Sequence, residues 1–156
     1  MKTKSICLIA CCTFLTGCVF SSNNFSKFKD KLGVTMPSKY KKVFKASETS
    51  IDSNLKYDIY EVEEEWKLDY TIQYQSDFED EFNLEKYINL INEYQPLHIS
   101  SEYYIPYSSS LDWVCKREIG ETRNYEWLLI YDKQTKLLYA LDSTHQWLHQ
   151  AIPNNN

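Results

Sequence analysis

Tyr125-Glu126-Trp127-Leu128-Leu129-Ile130-Tyr131-Asp132-Lys133-Gln134-Thr135-Lys136-Leu137-Leu138-Tyr139-Ala140-Leu141 is the stretch whose reading decides the fold. Tyr125, Trp127, Leu129 and Tyr131 alternate with Leu128 and Ile130, and a period of two is the signature of a strand. Both phases are apolar from Trp127 to Ile130, so this strand is expected to be central, with a helix on one side and further structure on the other. Asp132-Lys133-Gln134-Thr135 reads as a short hairpin loop, and Leu137 to Leu141 is nearly all apolar. Upstream, Leu111, Trp113 and Cys115 share one face of another strand, with Gly120 in the turn before Tyr125. Three antiparallel strands are expected here.

Alternation also governs the middle of the chain. Leu55, Tyr57 and Ile59 face one way and Tyr60 and Val62 the other. Trp66, Leu68, Tyr70, Ile72 and Tyr74 alternate against polar neighbours, which predicts a half-buried strand joined to the first by a hairpin at Glu63-Glu64-Glu65. The rival helix, built on Val62, Trp66, Tyr70 and Tyr74, would leave Leu68 and Ile72 in water. Asn83 can cap a helix carrying Leu84, Tyr87, Ile88, Ile91 and Tyr94, which ends at Pro96. Residues 76–82 are acidic and form a loop or an extra turn, while His98 to Ser110 reads as a strand fragment and a mobile loop. Nearer the start, Phe25, Phe28 and Leu32 predict a short helix from about Asn24, ended by Gly33 and followed by Pro37. Tyr40 to Glu48 reads as an edge strand whose lysines discourage further pairing, and a last short helix begins near Ser143. The expected fold is α+β: an antiparallel sheet of five or six strands packed by one main helix and a short N-terminal helix.

Ahead of this domain, Lys2 and Lys4 precede an apolar run from Ile6 to Leu15 and then Thr16-Gly17-Cys18. That order is a secretory signal, and the run is about half of the roughly 20 residues a membrane span needs. Leu15-Thr16-Gly17-Cys18 resembles the lipobox of bacterial lipoproteins. The resemblance implies cleavage before Cys18, whose sulfur carries a diacylglyceryl group, and hence a palmitate-type lipid anchor in the cell envelope. The chain then divides into a signal peptide (1–17), a lipidated tether (18–24), a single domain (25–153) and a frayed tail (154–156). The partner implied for Cys18 is the lipid bilayer. In a diderm cell, Val19 in place of an aspartate implies the outer membrane, which bounds the periplasm; in a monoderm cell the site is the outer face of the cell membrane.

Removal of 17 residues from 156 leaves 139, the size of one domain. Of five cysteines only Cys115 remains beyond the lipid site, so no internal disulfide forms. The processed chain has 15 basic and 22 acidic residues, which argues against nucleic acid. Charge is segregated along it. Lys27, Lys29, Lys31, Lys39, Lys41, Lys42 and Lys45 are opposed only by Asp30, and a basic segment beside a lipid anchor can rest on anionic headgroups or simply be solvated. From Asp58 to Glu85, eleven acidic residues are relieved only by Lys67, a surface suited to a cationic partner.

Chemistry-bearing patterns are sparse. With three glycines, neither Gly-x-Gly-x-x-Gly nor a P-loop occurs. Asp142, His145 and His149 have the spacing of weak metal ligands on one helix face, though the same helix can hold its histidines in solvent. Asp77, Glu79, Glu81 and Glu85 suggest calcium, but Phe82 stands where an EF-hand needs glycine. Cys115, beside Leu111 and Trp113 on a strand face, reads as a buried thiol and not a nucleophile, and Ser108-Ser109-Ser110 lacks the Gly-x-Ser-x-Gly setting. No catalytic residue, metal or cofactor is therefore expected. Tyr103, Tyr104 and Tyr107 lie near Pro106 in a loop, where they either cover a sheet edge or form a recognition surface. The expected function is non-enzymatic protein binding, of an accessory, inhibitory or immunity type, with Glu79, Asp80, Glu81, Tyr103, Tyr104 and Tyr107 as contacts. The alternatives are a glycan- or small-ligand-binding lipoprotein and a hydrolase whose residues follow no familiar pattern.

Overall fold

The structure, a computed structural model, describes residues 23–50, 53–68, 83–108 and 110–144. In chain order the elements are α1 (Asn23–Leu32), β1 (Tyr40–Thr49), β2 (Asn54–Val62), α2 (Leu84–Asn92), two 3-10 turns (Gln95–Leu97 and Ser101–Tyr103), β3 (Leu111–Ile119), β4 (Asn124–Asp132) and β5 (Leu137–Ser143). The five strands form one sheet in the order β1-β2-β5-β4-β3, with every neighbouring pair antiparallel. The fold is thus α+β, with five strands and two helices among the described residues.

The period-two pattern sorts the buried side chains onto two faces. On one face Leu55, Tyr57 and Ile59 of β2, Cys115 of β3, Leu128 and Ile130 of β4, and Tyr139 and Leu141 of β5 share a cluster with Tyr87, Ile88 and Ile91 of α2. On the other, Tyr60 and Val62, Val114, Trp127, Leu129 and Tyr131, and Leu138 and Ala140 share a cluster with Phe25, Phe28 and Leu32 of α1. Apolar residues on both phases of β4 follow from this, since each phase has a cluster to enter. The middle of the sheet, however, belongs to β5: β2 pairs with β5, and β4 lies next to the edge strand β3.

Both helices start and stop as their sequences dictate. The Asn83 side chain accepts from the Lys86 backbone N–H at 2.8 Å, which caps α2. Gly33, at φ 65°, lets its N–H reach the Lys29 carbonyl at 2.9 Å and end α1, because a left-handed residue at that position is what glycine permits. The N-terminal helix is not the shorter one, at 10 residues against 9, and it begins at Asn23, inside the expected tether. In the β3–β4 hairpin the Gly120 N–H donates to Arg123 O at 3.1 Å, and a side chain on Gly120 would lie 2.5 Å from that oxygen. At the β4–β5 turn, Asp132 accepts from the Ser110 and Thr135 hydroxyls, each at 2.7 Å, and from the Gln134 N–H at 3.0 Å.

Two expectations are corrected, and a third lies largely outside the described residues. Residues 63–68 are not strand, and both edges of β2 are already occupied by β1 and β5. The alternation there is met without pairing: Leu68 is buried in the α1-side cluster, Trp66 packs edge-on against Tyr131 at 4.9 Å, and its indole N–H donates to Thr35 O. The Glu63 N–H donates to Lys39 O and the Glu64 carboxylate accepts from Ser38, so the glutamates close against the entry to β1. Residues 69–74 of the expected strand lie outside the described residues. Among the described residues between His98 and Ser110 there is no strand, because His98 at φ 48° turns the chain and a 3-10 turn follows. Ser143 ends β5, and Thr144 stays non-helical with its hydroxyl accepting from the Asn54 N–H; residues 145–156, including the expected tail helix, lie outside the described residues.

Candidate functional site

The tyrosine segment is fixed from beneath. Asn92, the last residue of α2, donates its side-chain amide to Ile105 O at 3.0 Å and accepts from the Ile105 N–H at 2.9 Å. This pair of bonds treats Ile105 as a strand would, and its side chain is buried in the α2-side cluster. The three expected contact tyrosines then separate. Tyr103 turns inward: its ring stacks on Phe44 of β1 at 4.2 Å, and its carbonyl accepts from the Tyr57 hydroxyl at 2.8 Å. Burial, with Tyr139 alongside, pushes the Tyr57 phenol far above its ordinary range, so it remains a donor. Tyr104 and Tyr107 turn outward, 39% and 63% exposed, on either side of the anchored Ile105. Two rings are therefore displayed on a backbone that is already ordered.

The acidic region is less continuous than its sequence. Asp58 is buried on the α1 side, where one of its oxygens accepts from Lys42 at 2.8 Å and from the Tyr60 hydroxyl at 3.0 Å. It is part of the fold and not of an acidic surface. Glu61, Glu63, Glu65 and Glu85 are exposed. Hydrogen bonds from the backbone and hydroxyl of Ser38 hold the Glu64 carboxyl below its usual value. Glu79, Asp80 and Glu81 lie outside the described residues, as do Asp77 and the lipid site Cys18.

Of the metal grouping only its first member is described. Asp142 is in β5 and not on a helix, and it accepts from Lys27 Nζ at 2.6 Å. His145 and His149 lie outside the described residues, among which no cluster of three metal-type donors occurs. Cys115 is 9% exposed within the α2-side cluster, and burial first, then the negative charge of Glu126, pushes its thiol up to about 12. At neutral pH such a sulfur is protonated and a poor nucleophile.

Glu126 was not singled out by sequence and is the most enclosed carboxylate in the structure, with no exposed surface. It accepts from the Tyr87 hydroxyl at 3.3 Å, and its β3 register partner is Arg117. Parity was the available signal: Glu126 shares a phase with Leu128 and Ile130, which are buried. Burial first and then Glu126 raise the Tyr87 phenol well above its usual value. The Tyr87 bond ties α2 to β4, with protons held firmly on the tyrosine and the thiol. A depression of about 260 Å³ lies on the outer side of α2, lined by Asn83, Glu85, Lys86, Asn89, Leu90 and Glu93. It is smaller than the roughly 300–1,000 Å³ of ligand pockets.

Comparison with protein-family models, with curated proteins and with solved structures finds no match for this chain.

Proposed function

We propose that this is a lipid-anchored envelope protein that acts by binding another protein, with Tyr104 and Tyr107 as the central contacts. The observation that carries the reading is the Asn92 clamp on Ile105, which orders the backbone between two outward aromatic rings. Aromatic rings on a pre-ordered backbone bind with little further loss of entropy, which is why such residues dominate protein contacts. Anchoring through acylated Cys18 rests on the lipobox resemblance, and the exposed glutamates of residues 61–65 favour a cationic partner. In this reading α2 is the main packing helix of the sheet and α1 its counterpart on the opposite face, which the two buried clusters support.

The test is capture from detergent-solubilised envelopes with the lipidated chain as bait, followed by kinetics on the captured protein. Tyr104→Ala with Tyr107→Ala should raise the off-rate roughly tenfold or more, as loss of interface anchors does. Reversing Glu79, Asp80 and Glu81 to lysine should lower the on-rate and its salt dependence. A captured partner indifferent to both sets of changes would reject this surface. Capture of cell-wall glycan alone would favour the ligand-binding alternative.

A further inference from the structure

In the β1–β2 hairpin charge is divided between the two faces of the sheet by a bulge. Lys42 and Lys45 are three residues apart, an odd spacing that would put them on opposite faces of a regular strand. The register shifts between Lys42 and Phe44, so Lys42 is opposite Tyr60 and Lys45 opposite Asp58, both of the α1 face. Lys56 shares that face two residues before Asp58. The acidic residues of the two strands other than Asp58 go the other way: Glu48 is opposite Leu55 and accepts from Tyr94, and Glu61 is opposite Lys41. Two carboxylates, Asp58 and Asp142, are answered on the α1 face by Lys42 and Lys27. Lys45 and Lys56 are exposed in addition and are in no ion pair among the described residues.

The place of this surplus matters because of where the chain enters. α1 crosses the face with Phe25 against Tyr40 of β1 and Tyr60 of β2, Lys27 on Asp142 of β5, and Lys31 on Glu118 of β3. Its first turn is therefore at the β1–β2 side, the side of the sheet that carries Lys45 and Lys56. Five residue steps separate Asn23 from Cys18, a reach of at most roughly 18 Å. A lipid anchor at Cys18 would hold the start of α1, on the β1–β2 side, within that distance of the bilayer.

We propose that Lys45 and Lys56, with Lys29 on the exposed side of α1, form a contact surface for anionic lipid headgroups, which sets the domain's orientation on its membrane. The proposal rests on the anchoring of Cys18. It leaves Tyr104 and Tyr107, on the α2 side of the sheet, turned away from the bilayer.

The full lipidated chain is reconstituted in vesicles of zwitterionic phosphatidylcholine, alone or with a third phosphatidylglycerol, and each lysine's acylation rate is read by mass spectrometry. With phosphatidylglycerol, Lys29, Lys45 and Lys56 should slow by roughly fivefold or more, given the usual attraction of one lysine to an anionic surface, while Lys86 of α2 is unchanged. Half-molar salt should abolish the difference. Lys45→Glu with Lys56→Glu, both surface changes, should remove the protection of Lys29. Equal rates in both vesicle types overturn the contact surface while leaving the anchor standing, as does protection only in native envelopes, which assigns the face to a protein. A chain without acyl mass at Cys18 overturns anchor and orientation together.

Discussion

Replacing Asn92 with alanine tests whether the tyrosine segment is held or merely passes by. The substitution removes the bonds of 3.0 and 2.9 Å to Ile105 and leaves that residue's carbonyl and N–H, both part-buried, without a protein partner. At about 1 kcal/mol net for each hydrogen bond, the loss is about 2 kcal/mol, and desolvation of the abandoned groups adds to it. Alanine is the better helix former by roughly 0.5 kcal/mol at the end of α2, which offsets part of the loss. A net cost of about 2 kcal/mol should lower the melting temperature by roughly 8 °C for a domain of this size. If the opening is local, exchange of the Ile105 amide should quicken by roughly thirtyfold while β4 and β5 amides keep their protection. Hydrogen exchange read by NMR separates the cases. Asn92→Asp, which retains only the acceptor, should fall between. Unchanged melting together with unchanged Ile105 exchange would refute the clamp and, with it, the idea that Tyr104 and Tyr107 are displayed in advance.

Further predictions concern the titratable groups. Cys115, buried and with its thiol raised to about 12, should resist alkylation in the native state and react only in denaturant; rapid native labelling would contradict its packing. For Asp132, burial pushes the carboxyl up, but the bonds from Ser110, Thr135 and Gln134 outweigh it and hold it below the ordinary 3.8. A depressed carboxyl contributes stability above its unfolded value and loses it as pH falls through the folded one. Asp132→Ala should therefore cost about 2–3 kcal/mol at pH 7, and the gap from wild type in urea midpoints should shrink below about pH 4. A gap constant with pH would show that the hydroxyl and backbone bonds do not depend on the charge.

Most of the sheet was legible because a strand buried on both faces is written in its own residues. Trp127 to Ile130 required two cores, and Leu55 to Val62 named the members of each. Residues 63–68 misled because alternation reports which side chains are buried, not whether a backbone partner exists. The β1 bulge was illegible for the related reason that register belongs to two strands at once. Of the contact tyrosines, Tyr103 is half-buried because Phe44 and Tyr57 reach it from distant parts of the chain, and no local pattern separates it from Tyr104. Glu126 was legible by parity alone, because its hydroxyl partner Tyr87 comes from a distant helix and leaves no local mark in the strand.

The strand order has a consequence for how the molecule is made. β1 with β2, and β3 with β4, are pairs of chain neighbours, but β5 sits between β2 and β4 and is the last strand among the described residues. Until it arrives, the two halves have no shared ladder, and both β2 and β4 carry an open edge. The slow, non-local step of assembly thus waits for the C-terminal strand. A ribosome or an export channel that still holds residues 137–143 holds a chain that cannot close its core. For the exported protein proposed above, closure of the sheet is deferred until residues 137–143 have passed, and loss of β5 would yield two sticky half-sheets instead of a slightly weaker domain.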